Sequence, residues 1–266
     1  MEDIIVEFAK RIPKLKDPVM ITGFPGIGFV GKLAVDYLLD SLEVKKLATM
    51  YSIYFPSQVI INPDGTIRSP KKEIFYFKNS TKNRKAKNDL LITTGDFQGV
   101  TGEGQYLLSM KIVEIAEKFN VKMIYTLGGL GIGSIPEKPK IYGAATDISI
   151  VNELKKFDID FRPGGSIYGA AGLIVGIAMM KNIKGVCLMG ETQGELLDPK
   201  AAKEVLKKIV EILDIKIDLQ KIEEKAGEMY KETEEIRKII EEQKRQIEQA
   251  LRMEEEAKRK PLEYIR

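Results

Sequence analysis

The chain has no histidine, no tryptophan and only one cysteine, Cys187, in 266 residues. Without histidine there is no Ser-His-Asp or Cys-His nucleophile, no His-ligated zinc, and no side chain whose ordinary pKa suits a general base near neutrality. A single cysteine excludes a disulfide framework and any multi-cysteine metal site. Cys187 lies inside the apolar run 186–189 and reads as a packed core thiol. No stretch approaches the roughly 18 consecutive apolar residues of a membrane span, and no basic-then-apolar leader opens the chain. Net charge is scarce as well. Against 42 basic residues stand 39 acidic ones, a balance of +3 that leaves no electrostatic footprint for nucleic acid. With 44% hydrophobic and 30% charged residues, the chain can bury one large core. These features predict a soluble, cytoplasmic protein with no cofactor, no metal and a poor inventory for catalysis.

Composition changes abruptly near Leu213. From Asp214 to Arg266, Gly227 is the only glycine and Pro261 the only proline, with 13 basic and 15 acidic residues. This predicts an α/β core domain over 1–213 and a helical extension over 214–266. Within the core, short apolar runs at 19–22, 45–54, 73–77, 89–94, 121–127 and 185–189 read as strands, and 144–150 as a further one. Helical spacing covers 31–42, 104–119, 168–180 and 199–213. Strands alternating with helices of this length predict a mostly parallel sheet sandwiched by helices.

Glycine-rich segments punctuate the strand ends. The sharpest is Gly23-Phe24-Pro25-Gly26-Ile27-Gly28-Phe29-Val30-Gly31, which contains the Gly-x-Gly-x-x-Gly dinucleotide spacing. The acidic ribose ligand expected about 20 residues on is missing, since that stretch reads Leu47-Ala48-Thr49-Met50-Tyr51. Gly23, Pro25, Gly26, Gly28 and Gly31 are therefore read as a structural loop for tight strand–helix packing. Similar loops follow at 94–99, 128–133, 162–166 and 190–194. In a parallel sheet they gather at one edge, where Asp96, Glu103 and Glu191 could converge as acid and base. The competing reading makes them helix caps and turn residues. A basic stretch, Lys78, Lys82, Arg84, Lys85 and Lys87, has no interleaved aromatic residue and reads as a solvated loop.

In the extension, Ile212, Ile215, Leu219, Ile222, Ala226, Met229, Thr233, Ile236, Ile240, Gln243, Ile247 and Ala250 alternate three and four apart. That a/d stripe predicts a coiled coil, with Ile212, Ile215, Leu219, Ile222, Met229, Ile236 and Ile240 as oligomerisation positions. Pro261 then stops the helix and leaves Leu262-Glu263-Tyr264-Ile265-Arg266, a partly apolar end suited to capture by a partner protein through Leu262, Tyr264, Ile265 and Arg266.

Taken together, these motifs resemble the proteasome assembly chaperone 2 family in its archaeal branch. The resemblance rests on 23–32, Gly95-Asp96-Phe97-Gln98, Leu127–Gly133, the Gly/Ala-rich helix after Pro163-Gly164-Gly165, and Cys187–Thr192. It implies a phosphorylase-like α/β sandwich without established enzymatic activity, forming a homo-oligomer, a tetramer or pentamer, with tentacle-like helices. It further implies ATP-independent binding of proteasome α subunits or the core particle, or of another protein client. Members that dock on the core particle end in hydrophobic-tyrosine-any residue. Here Tyr264 stands third from the end, which implies the assembly type rather than the docking type. The alternative function is a nucleoside phosphorylase- or hydrolase-like enzyme using the glycine loops.

Overall fold

Strand β2 (Val19–Gly23) is buried along its whole length, as an apolar run covered on both faces must be. It sits inside an eight-stranded sheet formed with β1 (Ile4–Phe8), β3 (Lys45–Ser52), β6 (Lys72–Phe77), β7 (Leu90–Gly95), β8 (Met123–Gly131), β9 (Ile141–Ala145) and β10 (Lys184–Thr192). The strand order is β1-β3-β6-β7-β2-β8-β10-β9. Two short strands, β4 (Ile60–Ile61) and β5 (Ile67–Arg68), form a separate hairpin around the Asn62–Gly65 turn. The helices are α1 (Val30–Ser41), α2 (Gly102–Lys118), α3 (Ile148–Leu154), α4 (Ala170–Met180) and α5 (Pro199–Leu213). This computed structural model describes residues 2–79, 88–161, 163–224, 226–238 and 242.

The sheet is mixed, not mostly parallel. Parallel pairing joins only β7, β2, β8 and β10, while β1, β3 and β6 pair antiparallel with their neighbours and β9 pairs antiparallel with β10. Antiparallel strands need no crossover helix, and the chain uses this economy for the half of the sheet before α2. The stretch 144–150 is likewise not one strand. β9 ends at Ala145, and Asp147 caps α3, its carboxylate accepting from the Ser149 amide at 2.7 Å.

Two cores flank the sheet. Helices α2 and α4 cover one face, packing Leu108, Ile112, Ala116, Ile174 and Ala178 on Met20, Leu91 and Ile124. Helices α1 and α5 cover the other, with Val35, Leu38, Leu206 and Ile209 on Ile21, Leu127 and Leu188.

The second core does not stop at Leu213. Asp214 turns the chain in a left-handed conformation (φ 49°), Ile215 is buried, and the chain is helical again over 219–224 and 226–238. Ile222 and Ala226 are buried in the same cluster as α1 and α5, and Ile212 and Met229 pack against it. The Tyr37 hydroxyl on α1 lies 3.7 Å from the Met229 Sδ, and Lys207 on α5 pairs with Glu223 at 2.6 Å. The compositional break at 213 therefore falls inside a packed unit. Of the predicted oligomerisation positions, Ile212, Ile215, Ile222 and Met229 are engaged within one chain. Leu219 and Ile236 remain exposed, at 38% and 52%, and Ile240 lies outside the described residues.

Candidate functional site

The carboxyl ends of β7, β2, β8 and β10 open onto one edge, and the glycine loops meet there by backbone contact. A Cβ on Gly23 would lie 2.0 Å from the Gly31 carbonyl oxygen, and one on Gly31 would lie 2.0 Å from the Leu127 oxygen. Gly129 has the Ile27 oxygen at 2.3 Å from the same position. Helix α1 thus rests on β2 and β8 with no side chain between. Gly28 adopts φ 60°, and its added Cβ would strike the Thr192 hydroxyl. Gly26 is extended and closes the turn by accepting from the Phe29 amide at 2.9 Å.

A pyrophosphate at this helix start would need free amides. The Gly28 amide donates to the Gly194 carbonyl, the Phe29 amide to Gly26 and the Val30 amide to Ile27, while the Gly28 carbonyl accepts from the Asp198 amide at 2.8 Å. The local hydrogen bonds spend the fingerprint on packing. Gln98 completes the closure: its amide nitrogen donates to the Pro25 carbonyl at 2.5 Å and its oxygen accepts from the Ala170 amide at the start of α4 at 2.9 Å.

A cavity of about 110 Å³ remains, lined by Thr22, Phe24, Gln98, Gly128, Tyr168 and Met189 among others. It is well below the roughly 300 Å³ of a usual ligand pocket. Across the 164–167 segment lies a wider groove of about 480 Å³ lined by Gly143, Ala144, Ala145, Gly164, Gly165 and Met189, in which Tyr142 is the only ionisable side chain among the described residues.

The three candidate carboxylates do not come together. Asp96 accepts both Arg68 guanidinium nitrogens, at 2.6 and 2.8 Å, and the Lys71 amide at 2.9 Å. Burial pushes its pKa up, but the Arg68 and Lys71 hydrogen bonds outweigh that and hold it below the usual carboxylate value. Glu191 accepts from the Tyr142 hydroxyl at 2.9 Å and the Lys140 amide at 3.2 Å. With β7 and β10 three strand positions apart, Asp96 and Glu191 are separated by roughly 14 Å at about 4.8 Å per strand. Glu103 is exposed in the first turn of α2, where Thr101 caps the helix by accepting from the Gly104 amide. Cys187 is fully buried and its thiol is pushed up to about 11 by desolvation, so it is not a nucleophile near neutrality. Lys82, Arg84, Lys85 and Lys87 lie outside the described residues, as do Leu262, Tyr264, Ile265 and Arg266.

The structure adds two features that sequence reasoning missed. Lys72, 1% exposed, lies with its Nζ 3.5 Å from the Phe24 ring centroid and 5.9 Å from that of Phe55. Desolvation lowers its pKa to about 7. The available signal was strand parity, since Lys72 shares the inward register of Ile74. The second feature is an apolar rim on the carboxyl edge, where Ile27, Phe29, Val100, Ile132 and Tyr168 are exposed, Tyr168 to 90%. Among the described residues no helix is long and apolar enough to cross a membrane.

Comparison with known proteins agrees with this architecture. MJ1210 of Methanocaldococcus jannaschii is 38% identical over 227 residues, covering 85% of each chain. The crystal structure of Pyrococcus furiosus PbaB, described as an archaeal proteasome activator, is 34% identical with a TM-score of 0.81, covering 91% of this chain and 100% of that one. PbaA of the same organism, described as an archaeal homologue of proteasome-assembly chaperone, shares the fold at 22% identity and a TM-score of 0.71, over 93% and 98%. The PAC2 family profile matches residues 20–237, across the helices packed on α1 and α5, and the chain belongs to the PAC2 family.

Proposed function

We propose that the protein is a non-catalytic, ATP-independent scaffold of the proteasome-assembly-chaperone kind that works in the cytoplasm as a homo-oligomer. Its clients are proteasome α subunits or the core particle, and the C-terminal helices act as the gripping arms. One observation carries this reading: in a PAC2-family chain, the edge where an α/β enzyme would hold its substrate is filled by backbone-on-backbone glycine packing. Its carboxylates are paired far apart, and its rim is apolar, which favours protein contact over turnover. The descriptions of PbaB and PbaA give the client class. The arms are residues 239–266, bearing Ile240, Leu262, Tyr264, Ile265 and Arg266, with the exposed Leu219 and Ile236 as further contacts between copies.

The test is capture of purified proteasome α subunits by the full-length chain, by residues 1–238 and by a chain lacking its last six residues. Full-length protein should retain α subunits, and the 1–238 form should lose about tenfold in affinity while keeping its melting temperature. Equal capture by both removes the arms from the mechanism. No capture by either removes the client. In the enzyme reading, purine nucleoside or phosphate would raise the melting temperature by several degrees through linkage. No such rise is expected.

A further inference from the structure

The two edges of the large sheet differ. The β9 edge is covered: the Gly143 amide donates to the Asp160 carbonyl at 2.8 Å, and the Asp160 amide donates to Ile141 at 2.9 Å. Among the described residues the β1 edge is open. Its ladder to β3 runs from Ile4 opposite Ser52 to Phe8 opposite Ala48. Beyond its ends the Asp3 carbonyl accepts from the Ile53 amide at 3.1 Å, and the Ala9 amide donates to Leu47 at 2.8 Å. Residues of an antiparallel strand alternate between facing their partner and facing away. The odd positions therefore bond β3, and the main-chain groups of Ile4, Val6 and Phe8 point outward, with no backbone partner among the described residues.

Proteins usually blunt such an edge with proline, an inward charge or a bulge. β1 reads Ile-Ile-Val-Glu-Phe, with no proline, no inward charge and no shift of register against β3, and a single outward charge, Glu7. Its flanks are polarised instead, with Glu2 and Asp3 before it and Lys10 and Arg11 after it. An antiparallel copy of the same strand brings acidic flank to basic flank at both ends.

We propose that β1 pairs antiparallel with β1 of a second copy about a two-fold axis through Val6, joining two sheets into one. Only registers that keep the even positions facing each other can form, and charge separates them. With Val6 on the axis, Ile4 stands opposite the partner's Phe8, Ile5 opposite the partner's Glu7, and Glu2 opposite the partner's Lys10, with no like charges paired. Shifted one way, Asp3 stands opposite the partner's Glu7. Shifted the other way, Asp3 gains the partner's Arg11, but the two Glu7 carboxylates face each other on the axis. Like charges directly opposite destabilise a strand pair. Ile4, Val6 and Phe8 lie on the face covered by α2, with Phe8 6.4 Å from Phe119, so pairing also makes that apolar layer continuous across the axis. This interface rests on the homo-oligomer reading above and deepens it: an isologous contact builds dimers and tetramers and no odd-numbered ring.

Cysteine cross-linking of the full-length chain reads the register directly, because Cys187 is fully buried. Odd positions across the new pair are non-hydrogen-bonded neighbours with Cα atoms about 4.5 Å apart, within disulfide range. The double variant Ile5→Cys/Glu7→Cys should oxidise to a covalent dimer about tenfold more completely than Ile5→Cys alone, with peptide mapping placing the bridge between position 5 and the partner's position 7. Ile5→Cys alone keeps every charge of the wild-type strand, and its dimerisation to the same extent would mark a shifted register and overturn the proposal. Val6→Pro removes an amide that the isolated chain does not use, and should at least halve the mass found by light scattering; an unchanged mass overturns the proposal. Should Val6→Pro fail to fold, the exposed pair decides: Lys10→Glu should weaken association and Glu2→Lys/Lys10→Glu restore it, and no effect of either counts against the pairing. Capture of α subunits is scored separately. A monomeric wild-type chain that captures them sinks the pairing and spares the client reading, while one that pairs yet captures nothing does the reverse.

Discussion

Replacing Gly31 by alanine puts two physical effects in opposition, and the structure decides the sign. Gly31 lies in the first turn of α1, and helix propensity alone makes Gly→Ala stabilising by up to about 1 kcal/mol. The added Cβ, however, would lie 2.0 Å from the Leu127 oxygen and 2.7 Å from its carbonyl carbon, where ordinary contact begins at 3.4 Å. Relief requires helix and strand to separate by roughly 1.4 Å, and both obstacles are backbone, which cannot rotate away. Overpacking typically costs about 1–3 kcal/mol where side chains can yield. Here the upper end applies, and a net loss of about 2–3 kcal/mol is expected. Gly176, in α4, is the internal control: nothing lies within 4 Å of its Cβ position, so Gly176→Ala should gain about 0.5–1 kcal/mol. Urea unfolding followed by far-UV circular dichroism reads both. With a slope of about 3 kcal/mol/M, the midpoint should fall by nearly 1 M for Gly31→Ala and rise by about 0.2–0.3 M for Gly176→Ala. A Gly31→Ala midpoint at or above wild type would refute the packing account of the loop.

Two further outcomes follow from burial. Ile222→Ala should destabilise the chain by about 2–4 kcal/mol in the same assay, because Ile222 is 4% exposed within the α1–α5 core. Truncation after Leu213 should likewise lower the melting temperature, whereas a tail free of the core would make both changes silent. Lys72→Met should flatten the pH dependence of stability. The folded pKa of about 7 lies below the unfolded lysine value, so between them the unfolded chain binds more protons and wild-type stability climbs with rising pH. The penalty is fully present below about pH 7 and fades toward pH 10.5. Lys72→Met should therefore be the more stable protein at pH 6, with the gap closing as pH rises. A constant difference across that window would show that Lys72 keeps its charge over Phe24.

Much of the core was readable because burial writes itself into periodicity. The span Pro199–Leu213 coincides with α5, the apolar run at 19–22 sits inside β2, and that at 89–94 overlaps β7 within one residue at each end. The direction of the strands was not readable. An apolar run buried on both faces looks the same whether its neighbour runs parallel or antiparallel, and β6 carries no mark of pairing antiparallel with both β3 and β7. β1 was missed because five residues, only half-buried on alternate positions, scarcely stand out from a charged N-terminal segment. The convergence of Asp96 with Glu191 depended on strand order, which no local pattern encodes.

The extension poses a different problem, because its stripe of apolar positions does not name the surface that covers it. A three-four repeat says only that one side of a helix is covered. It does not distinguish a second copy from the helix's own body. Over a few turns the 3.5 period of a supercoil and the 3.6 period of a helix lying on a globular surface differ by only about 20° per heptad. At Ile215, Ile222, Ala226 and Met229 the cover is α1 and α5, as the contact between Tyr37 and Met229 and the burial of Ile222 and Ala226 require, while Leu219 between them stays exposed. Thr233, buried beside them, supplies its own acceptor by donating to the Met229 carbonyl at 2.8 Å, which is how a polar residue comes to sit in an apolar stripe. By Ile236 the stripe faces solvent. The same repeat thus holds Ile222, Ala226 and Met229 to the chain's own core and leaves Leu219 and Ile236 exposed, so the proposed association between copies has only those two described stripe positions to draw on, besides the β1 edge.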